Sequence, residues 1–315
     1  MRAALLLTAA LCSPAAALTV AGFDGRAAAP VRAEAPAVPA PEAPAAPGFC
    51  IFDGAGKPEG ARALETAAAR GGLVAVGETH DQLNDHLAQL EALKALYAAR
   101  GEKVAVGFEM LNMTLQPVLD DYAAGRLTEE EFKAGVNWQK EWGFDFNLYK
   151  PLFDFIREHK LRALALNLPK KIVSKIAMSG LAALTPEESA YLPAGMQVNS
   201  DERYVAYVRQ SFQGHMSDMF KFENYLAAMS AWNETMGARL ADFLRANPDH
   251  AALAVAGTGH VVYNAAITAS FSARLPGVPT ATFYTQGADA CPAAPAAEDA
   301  GLADHVWYVA HTAAD

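Results

Sequence analysis

The sequence predicts an α/β fold with a mostly parallel sheet flanked by helices. Two observations lead to this prediction: short apolar runs have the composition of buried strands, and helical patterns separate them. Strand, helix and strand in alternation require crossover connections, which make neighbouring strands parallel and cover both faces of the sheet. With 315 residues, the chain is long enough to bury a large core.

The predicted elements follow in chain order. Buried strands are expected at Leu73 to Val76, Val104 to Val106, Leu164 to Leu166 and Leu253 to Ala256, with two more near Thr280 to Tyr284 and Val306 to Val309. Helices are expected at Gln82 to Ala99, Leu148 to His159, Lys170 to Ser179 and Met219 to Asn247. Residues 170–247 show no clear strand, so we expect a helical insertion or cap there.

The N-terminus predicts export. Arg2, the apolar run from Ala3 to Leu11 and the small residues Ala15 to Ala17 form a signal peptide pattern over residues 1–17. Residues 18–48 are rich in Ala and Pro and predict a linker, so a single domain is expected over residues 49–315. We expect a periplasmic protein. Leu11 precedes Cys12 where lipoprotein signals have a small residue, which disfavours a lipid anchor without removing that alternative.

The amino-acid composition argues against some classes of binding partner. The net charge of −10 argues against nucleic acid, which favours a basic surface. No stretch reaches the roughly 20 apolar residues of a membrane span. Beyond the predicted signal peptide the chain has two cysteines, Cys50 and Cys291. In an oxidising compartment they can form a disulfide between the two ends of the domain, or they are two unrelated thiols.

Polar residues follow the predicted strands. Gly77 to Asp81 follow the first strand, Glu109 ends the second, Asn167 follows the third, and Gly257 to His260 follow the fourth. Lys170 and Lys171 come shortly after Asn167. The carboxyl ends of parallel strands lie at one edge of a sheet, where open α/β sheets bind their ligands. We therefore expect the functional site at that edge.

Two Gly-x-x-His motifs, at Gly77 and Gly257, contribute to this edge. Glu78, His80, Glu109 and His260 could hold a divalent metal such as Mn, Co or Zn, or perform acid–base catalysis. The structural alternative is that each histidine caps a helix or satisfies a buried hydrogen bond.

Two further histidines are ambiguous. The spacing of His86 from the neighbouring leucines places it on the inward face of the predicted helix, where it is either a core residue or a ligand. His215 lies at a predicted helix break, where it either points toward the site or belongs to a surface turn.

A stripe of aromatic and methionine residues runs through the predicted cap. It comprises Met216, Met219, Phe220, Phe222, Tyr225, Met229 and Trp232. At helical spacing such a stripe usually packs in a core, but it could also cover a flat apolar ligand such as haem. Tyr225 and Tyr263 are then the best-placed iron ligands, and Tyr204 and Tyr207 remain alternatives.

Five motifs in order resemble the ChaN family of bacterial haem-binding, iron-regulated proteins. They are Val76 to Asp81, Gly107 to Met110, Asn167 to Lys170, Trp232 to Met236 and Gly257 to Val261. The family lies in the wider Tiki group, which includes metal-dependent proteases and erythromycin esterase-like enzymes. The resemblance runs from about Cys50 to Thr285. Val262 to Ala266 depart from the glycine-rich turn common in the family.

The resemblance implies an exported α/β protein that binds haem in iron uptake, with the haem held between two subunits of a homodimer and tyrosine as the family's iron ligand. In this chain the candidate haem-binding residues are His80, His86, His215, Tyr225, His260 and Tyr263.

The alternative is a Tiki-type or erythromycin-esterase-like, metal-dependent hydrolase that uses Glu78, His80, Glu109 and His260. Serine hydrolase and zincin motifs are absent from the sequence. A third interpretation is a noncatalytic domain whose motifs organise loops, so whether the protein is an enzyme stays open.

Overall fold

The computed structural model describes residues 50–215 and 220–311, without the side chains of residues 214 and 215. The predicted signal peptide and linker lie outside this range. The described residues form a seven-stranded sheet in the order β1-β7-β6-β2-β5-β3-β4. The strands are β1 (Cys50–Asp53), β2 (Leu73–Glu78), β3 (Val104–Asn112), β4 (Arg162–Asn167), β5 (Ala251–Gly257), β6 (Thr280–Gly287) and β7 (His305–Val309).

Strands β2 to β7 are parallel to their neighbours, and β1 pairs antiparallel with β7 at one edge. The predicted α/β fold with a mostly parallel sheet is therefore confirmed. Strand β1 was not predicted, because its four residues are too few for a clear pattern. Cys50 at its start forms a disulfide with Cys291, with 5.5 Å between the Cα atoms.

Helices cover both faces of the sheet. They are α1 (Arg62–Arg70), α2 (Leu83–Arg100), α3 (Gln116–Ala123), α4 (Glu129–Val136), α5 (Trp138–Glu141), α6 (Phe146–Glu158), α7 (Lys170–Ser179), α8 (Pro186–Ser189), α9 (Glu202–His215), α10 (Phe222–Ala246) and α11 (Ile267–Arg274). Helix α7 has the predicted bounds, and α2, α6 and α10 lie within a few residues of theirs. The stretch from α7 to α10 contains helices and turns but no strand among its described residues, as predicted for the cap.

The two faces of the sheet bury different side chains. Val74 and Val76 of β2 belong to the core beneath α2 and α6, whereas Leu73 and Ala75 belong to the core beneath α10 and α11. Both sets alternate along one strand because successive side chains point to opposite faces. A strand buried on both faces needs apolar residues throughout, which explains the continuous run in the sequence.

Close packing brings α10 and α11 together over the second face. A Cβ atom built at Gly237 of α10 would lie 2.6 Å from the Cβ atom of Ser270 in α11, so only glycine allows this approach. In the part of the chain that the structure describes, no helix combines the length and apolar character that crossing a membrane requires.

Candidate functional site

Three neighbouring strand ends form the centre of the site. Glu78 is the last residue of β2 and pairs in register with Gly257, the last residue of β5. Glu109 of β3 comes directly after Phe108, which pairs with Val255 of β5. The parallel register thus brings both carboxylates to the same edge, as expected from the sequence.

Glu78 is fully buried and is surrounded by donors. Its Oε1 atom accepts hydrogen bonds from His80 Nδ1 at 2.8 Å and from the Tyr149 hydroxyl at 2.9 Å. Its Oε2 atom lies 2.8 Å from Nδ1 of His86 in a buried ion pair. The Trp142 indole donates in turn to the Tyr149 hydroxyl at 2.9 Å, which fixes the phenol against the carboxylate.

The charges of this group stabilise one another. Burial alone would raise the pKa of Glu78, but the charge of His86 and the hydrogen bond from His80 outweigh it and hold the pKa well below its ordinary value. Burial would lower the pKa of His80 and His86, but the Glu78 carboxylate raises both. Burial and the Glu78 charge raise the pKa of Tyr149.

His86 is a buried partner of the carboxylate. Besides Glu78, its Nδ1 atom faces the side-chain oxygen of Gln89 at 3.2 Å, and its Nε2 atom faces the carbonyl oxygen of His80 at 3.2 Å. Because both ring nitrogens face acceptors, the ring needs a proton on each of them. The prediction that His86 turns inward is confirmed.

Glu109 forms the second carboxylate–histidine pair. Its Oε1 atom lies 3.2 Å from Nε2 of His260, and its Oε2 atom accepts the backbone N–H of Gly257 at 2.7 Å. Burial would raise the pKa of Glu109, but the charge and hydrogen bond of His260 lower it. His260 Nδ1 donates to Asn233 Oδ1 at 2.6 Å, and Asn233 Nδ2 donates to the Tyr204 hydroxyl at 2.7 Å.

Gly257 lets the two pairs approach each other. A Cβ atom at this position would lie 2.8 Å from His80 Cε1, 3.2 Å from His80 Nε2 and 3.7 Å from Glu109 Oε2. The His80 ring therefore occupies the space that any other residue would fill, and it lies beside Glu109.

His80 is the more accessible of the two motif histidines. Its side chain is 12% exposed, against 6% for His260. Trp142 and Phe144 pack around its ring, with centroid distances of 4.7 and 5.2 Å. Its Nε2 atom has no hydrogen-bond partner among the described residues. This nitrogen is available to a ligand or a water molecule.

An aromatic cap lies next to the second pair. We use this name for the apolar cluster of α9, α10 and the loop after β5, which includes Phe212, Phe222, Tyr225, Met229 and Tyr263. Met216 and Met219 lie outside the described residues.

Tyr263 has an unusual position in this cap. Its backbone is left-handed, with φ of 59°, and its N–H donates to the Leu302 carbonyl at 2.5 Å. The Arg203 guanidinium lies 5.3 Å from the ring centroid. Within the described part of the chain, the half-buried phenol makes no hydrogen bond.

The structure places the predicted residues in two groups. Five converge at the strand ends: Glu78, His80, His86, Glu109 and His260. Tyr225 and Tyr263 belong to the aromatic cap, and the side chain of His215 lies outside the described residues. In residues 50–215 and 220–311, no group of three or more His, Cys, Asp and Glu side chains has the arrangement of a metal site.

Three contributors were missed by sequence reasoning: Trp142, Tyr149 and Asn233. Asn233 lies in the Trp232 to Met236 motif, which was the available signal. The other predicted polar residues have structural partners: Asn167 donates to the Glu109 carbonyl at 2.9 Å, and Lys170 donates to the Lys140 carbonyl at 3.2 Å.

Comparisons with known proteins agree with this architecture. Residues 64–271 match the family model described as haem-binding uptake, Tiki superfamily, ChaN. The solved structure of ChaN of Campylobacter jejuni, described as binding haem cofacially, is similar with a TM-score of 0.64 at 16% identity, over 82% of this chain and 96% of that chain. No curated protein sequence gives a significant match.

Weaker similarities include two further solved structures. The type III effector HopBA1 has a TM-score of 0.48 at 11% identity, over 79% of this chain and 92% of that chain. The erythromycin esterase EreC has a TM-score of 0.43 at 13% identity, over 71% of each chain.

Proposed function

This chain belongs to the ChaN family of haem-binding uptake proteins in the Tiki superfamily, and from that premise we propose that it binds haem where the aromatic cap meets the C-terminal edge of the sheet. Tyr263 is the proposed iron ligand. The proposed setting is iron uptake in the periplasm.

The free phenol of Tyr263 carries the proposal. A tyrosine oxygen is an established type of axial ligand for haem iron, and this oxygen has no competing hydrogen bond among the described residues. The ring is half-buried in an apolar cluster that suits the macrocycle.

The other candidates are less accessible. His86 and His260 are buried in ion pairs with Glu78 and Glu109, so binding iron would break those pairs. Tyr225 is only 8% exposed. His80 is the second choice because its Nε2 atom is free of partners in the described structure, and His215 stays a prediction.

Export and assembly are part of the same proposal. The Cys50–Cys291 disulfide supports an oxidising compartment, in agreement with the signal peptide pattern over residues 1–17. A lipid anchor on Cys12 remains the alternative to a free periplasmic protein. Cofacial haem binding by ChaN of Campylobacter jejuni supports a homodimer as the haem-loaded form.

A haem titration of the protein from Phe49 onward tests the proposal. The wild type should give a saturable Soret shift, and Tyr263→Phe should weaken binding at least tenfold and change the visible spectrum. Tyr225→Phe is the matched control and should behave as the wild type. An unchanged absorption spectrum of haem on adding wild type contradicts haem binding. Loss of the shift in His80→Ala, with none in Tyr263→Phe, would assign the iron to His80 instead.

Hydrolysis is the second candidate function, favoured by the contact between Glu78 and His80. A carboxylate on Nδ1 orients an imidazole whose Nε2 atom can take a proton from water at a pH above the raised pKa of His80, where the ring is neutral. We expect turnover of an ester or peptide to disappear in both His80→Ala and Glu78→Gln. An inert wild type across such panels, with and without added Mn, Co or Zn, would remove this candidate.

A further inference from the structure

A polar cavity of about 330 Å³ lies behind the loop that follows β5. It is open to solvent and is lined by residues 197–201 before α9, the middle of α10, residues 263–266 and the start of α11. Small-molecule sites in proteins have volumes of about 300 to 1,000 Å³, so a small ligand fits. Asn233 lines the cavity and binds His260 with the same side chain, which separates the cavity from the carboxylate–histidine pairs.

The charges of the cavity wall are balanced. Arg203 pairs with Asp201 at 3.0 Å, and Glu234 pairs with Arg274 at 2.5 Å. Asp201, Arg203 and Glu234 are the charged residues among those that line the cavity. A charged ligand would have to displace one of these pairs or stay uncompensated, so the wall favours a neutral ligand.

Amide, hydroxyl and aromatic groups make up much of the remaining wall. They include Gln197, Asn199, Ser200, Ser230 and the ring of Tyr263. Gln197 and Ser200 are the exposed members of this set, and their side chains both donate and accept hydrogen bonds, as the hydroxyl groups of a ligand require. An aromatic ring beside them offers an apolar face to the C–H groups of such a ligand.

Hydrogen bonds hold the wall in place before any ligand binds. The Asn199 backbone N–H donates to Ser230 Oγ at 2.9 Å, and its side-chain amide donates to the Ala265 carbonyl. The Asp201 N–H donates to Asn199 Oδ1 at 2.9 Å. Ser230 is only 1% exposed, so the hydrogen bond that holds this part of the wall is shielded from solvent.

The opposite wall has an unfavourable backbone conformation. Tyr263 and Asn264 are consecutive left-handed residues other than glycine, with φ of 59° and 55°. Asn264 is fixed by its amide donating to Asp304 at 2.8 Å and by the Thr282 hydroxyl donating to it at 2.7 Å. Backbone conformations that the surroundings impose in this way are concentrated at ligand sites.

We propose that this cavity binds a neutral, hydroxyl-rich small molecule of monosaccharide size. Balanced charge excludes ions as the preferred ligands, the amide and hydroxyl groups match a polyol, and the imposed loop shapes the wall. The proposal is independent of haem binding, although Tyr263 borders both sites.

Calorimetry with the protein from Phe49 onward tests the ligand class. The probes are glucose, galactose, mannose and myo-inositol, with glucuronic acid and glucosamine as charged counterparts of the same ring size. We expect saturable binding at one site for at least one neutral probe, and at least tenfold weaker binding of the charged ones. No saturable binding of any neutral probe, or tighter binding of a charged one, overturns the proposal.

Three variants locate the binding. Ala269→Trp fills the cavity from the exposed wall of α11 and should abolish binding of the best neutral probe. Ala273→Trp, also exposed on α11 but outside the cavity, is the matched control and should bind as the wild type. Gln197→Ala should weaken binding even if Ala269→Trp fails to fold. Wild-type affinity in a folded Ala269→Trp or in Gln197→Ala overturns the assignment.

Gln197→Ala also separates the two proposals, because Gln197 lines the cavity and is not part of the aromatic cap. It should weaken sugar binding and leave the haem titration unchanged. Equal weakening of haem and sugar binding in this variant would contradict two separate sites.

Discussion

At the residue scale, the space above Gly257 sets the position of His80. Gly257→Ala would bring a Cβ atom within 2.8 Å of His80 Cε1, so the ring must move away from Glu109. The φ of Gly257 is −59°, which alanine adopts readily, so the effect is steric. Overpacking of this kind typically costs about 1 to 3 kcal/mol of the free energy of unfolding. Chemical denaturation measures it, with the His80 ring resonances reporting the displacement.

Gly259→Ala is the matched control for this prediction. Its Cβ atom would meet Tyr207 at 3.7 Å, an ordinary contact, two residues along the same turn. We expect a change in stability below about 1 kcal/mol and no shift of the His80 resonances. Equal effects of the two substitutions would show that the space above Gly257 has no special role.

Glu78 is the residue whose charge matters most to the buried cluster. Glu78→Gln keeps the shape but leaves His86 without its buried anion, and breaking a buried pair costs about 3 to 5 kcal/mol. Asp249→Asn removes the exposed partner of Lys103 and His250, so the urea midpoint should change little. Urea unfolding of both variants checks the contrast, and similar losses would contradict the burial argument.

At the element scale, much of the architecture could be predicted because buried parallel strands need continuous apolar runs. The run from Leu73 to Val76 marked β2, and the polar residues after it marked the functional edge. The strand β1 was missed because it has only four residues. The helices α1, α3 to α5 and α11 were missed because each has nine residues or fewer, too few for a clear periodic pattern. The spacing of apolar residues in the sequence also does not indicate which helix packs over the C-terminal edge of the sheet.

Tyr149 and Asn233 show this limit at the site. Both reach the strand ends from helices, α6 and α10, whose positions depend on tertiary packing. Glu78 and His80 could be predicted because their place depends on one strand alone. Residues that follow a strand are thus predictable from local sequence, whereas residues that a helix brings to the edge are not.

The disulfide is an element-scale feature because it fastens β1 to the loop after β6. It closes a loop of 241 residues, and losing a native disulfide costs about 2 to 5 kcal/mol. A Cys50→Ser and Cys291→Ser double variant should melt at a lower temperature and show faster hydrogen exchange in β1. Adding a thiol reductant should lower the melting temperature of the wild type and leave the variant unchanged. A variant that still responds to the reductant would contradict this.

At the scale of the whole molecule, the buried cluster makes stability depend on pH from both sides. The pKa values of His80 and His86 are raised above 6.5, so their contribution is fully present below pH 6.5 and is lost as pH rises through the folded values. The pKa values of Glu78 and Glu109 are lowered from 4.5, so their contribution is present above pH 4.5 and is lost as pH falls through the folded values. The cluster therefore stabilises the fold most between about pH 4.5 and 6.5.

Comparing the wild type with Glu78→Gln isolates this effect from the titration of other groups. The Glu78 carboxylate is the main group that raises the pKa values of His80 and His86. Without it, burial favours the neutral forms of both histidines. Above pH 6.5 the folded state holds protons that the unfolded state has released. The free energy of unfolding of the wild type should therefore fall by up to about 1.4 kcal/mol per pH unit for each histidine that titrates in this range. Glu78→Gln should lose little stability over the same range, whereas Asp154→Asn, which removes an exposed partner of Lys150, should follow the wild type. Free energies of unfolding from urea titrations at intervals between pH 5 and 9 give the slopes. Parallel curves for wild type and Glu78→Gln would mean that the two histidines are not held in their charged forms by this carboxylate.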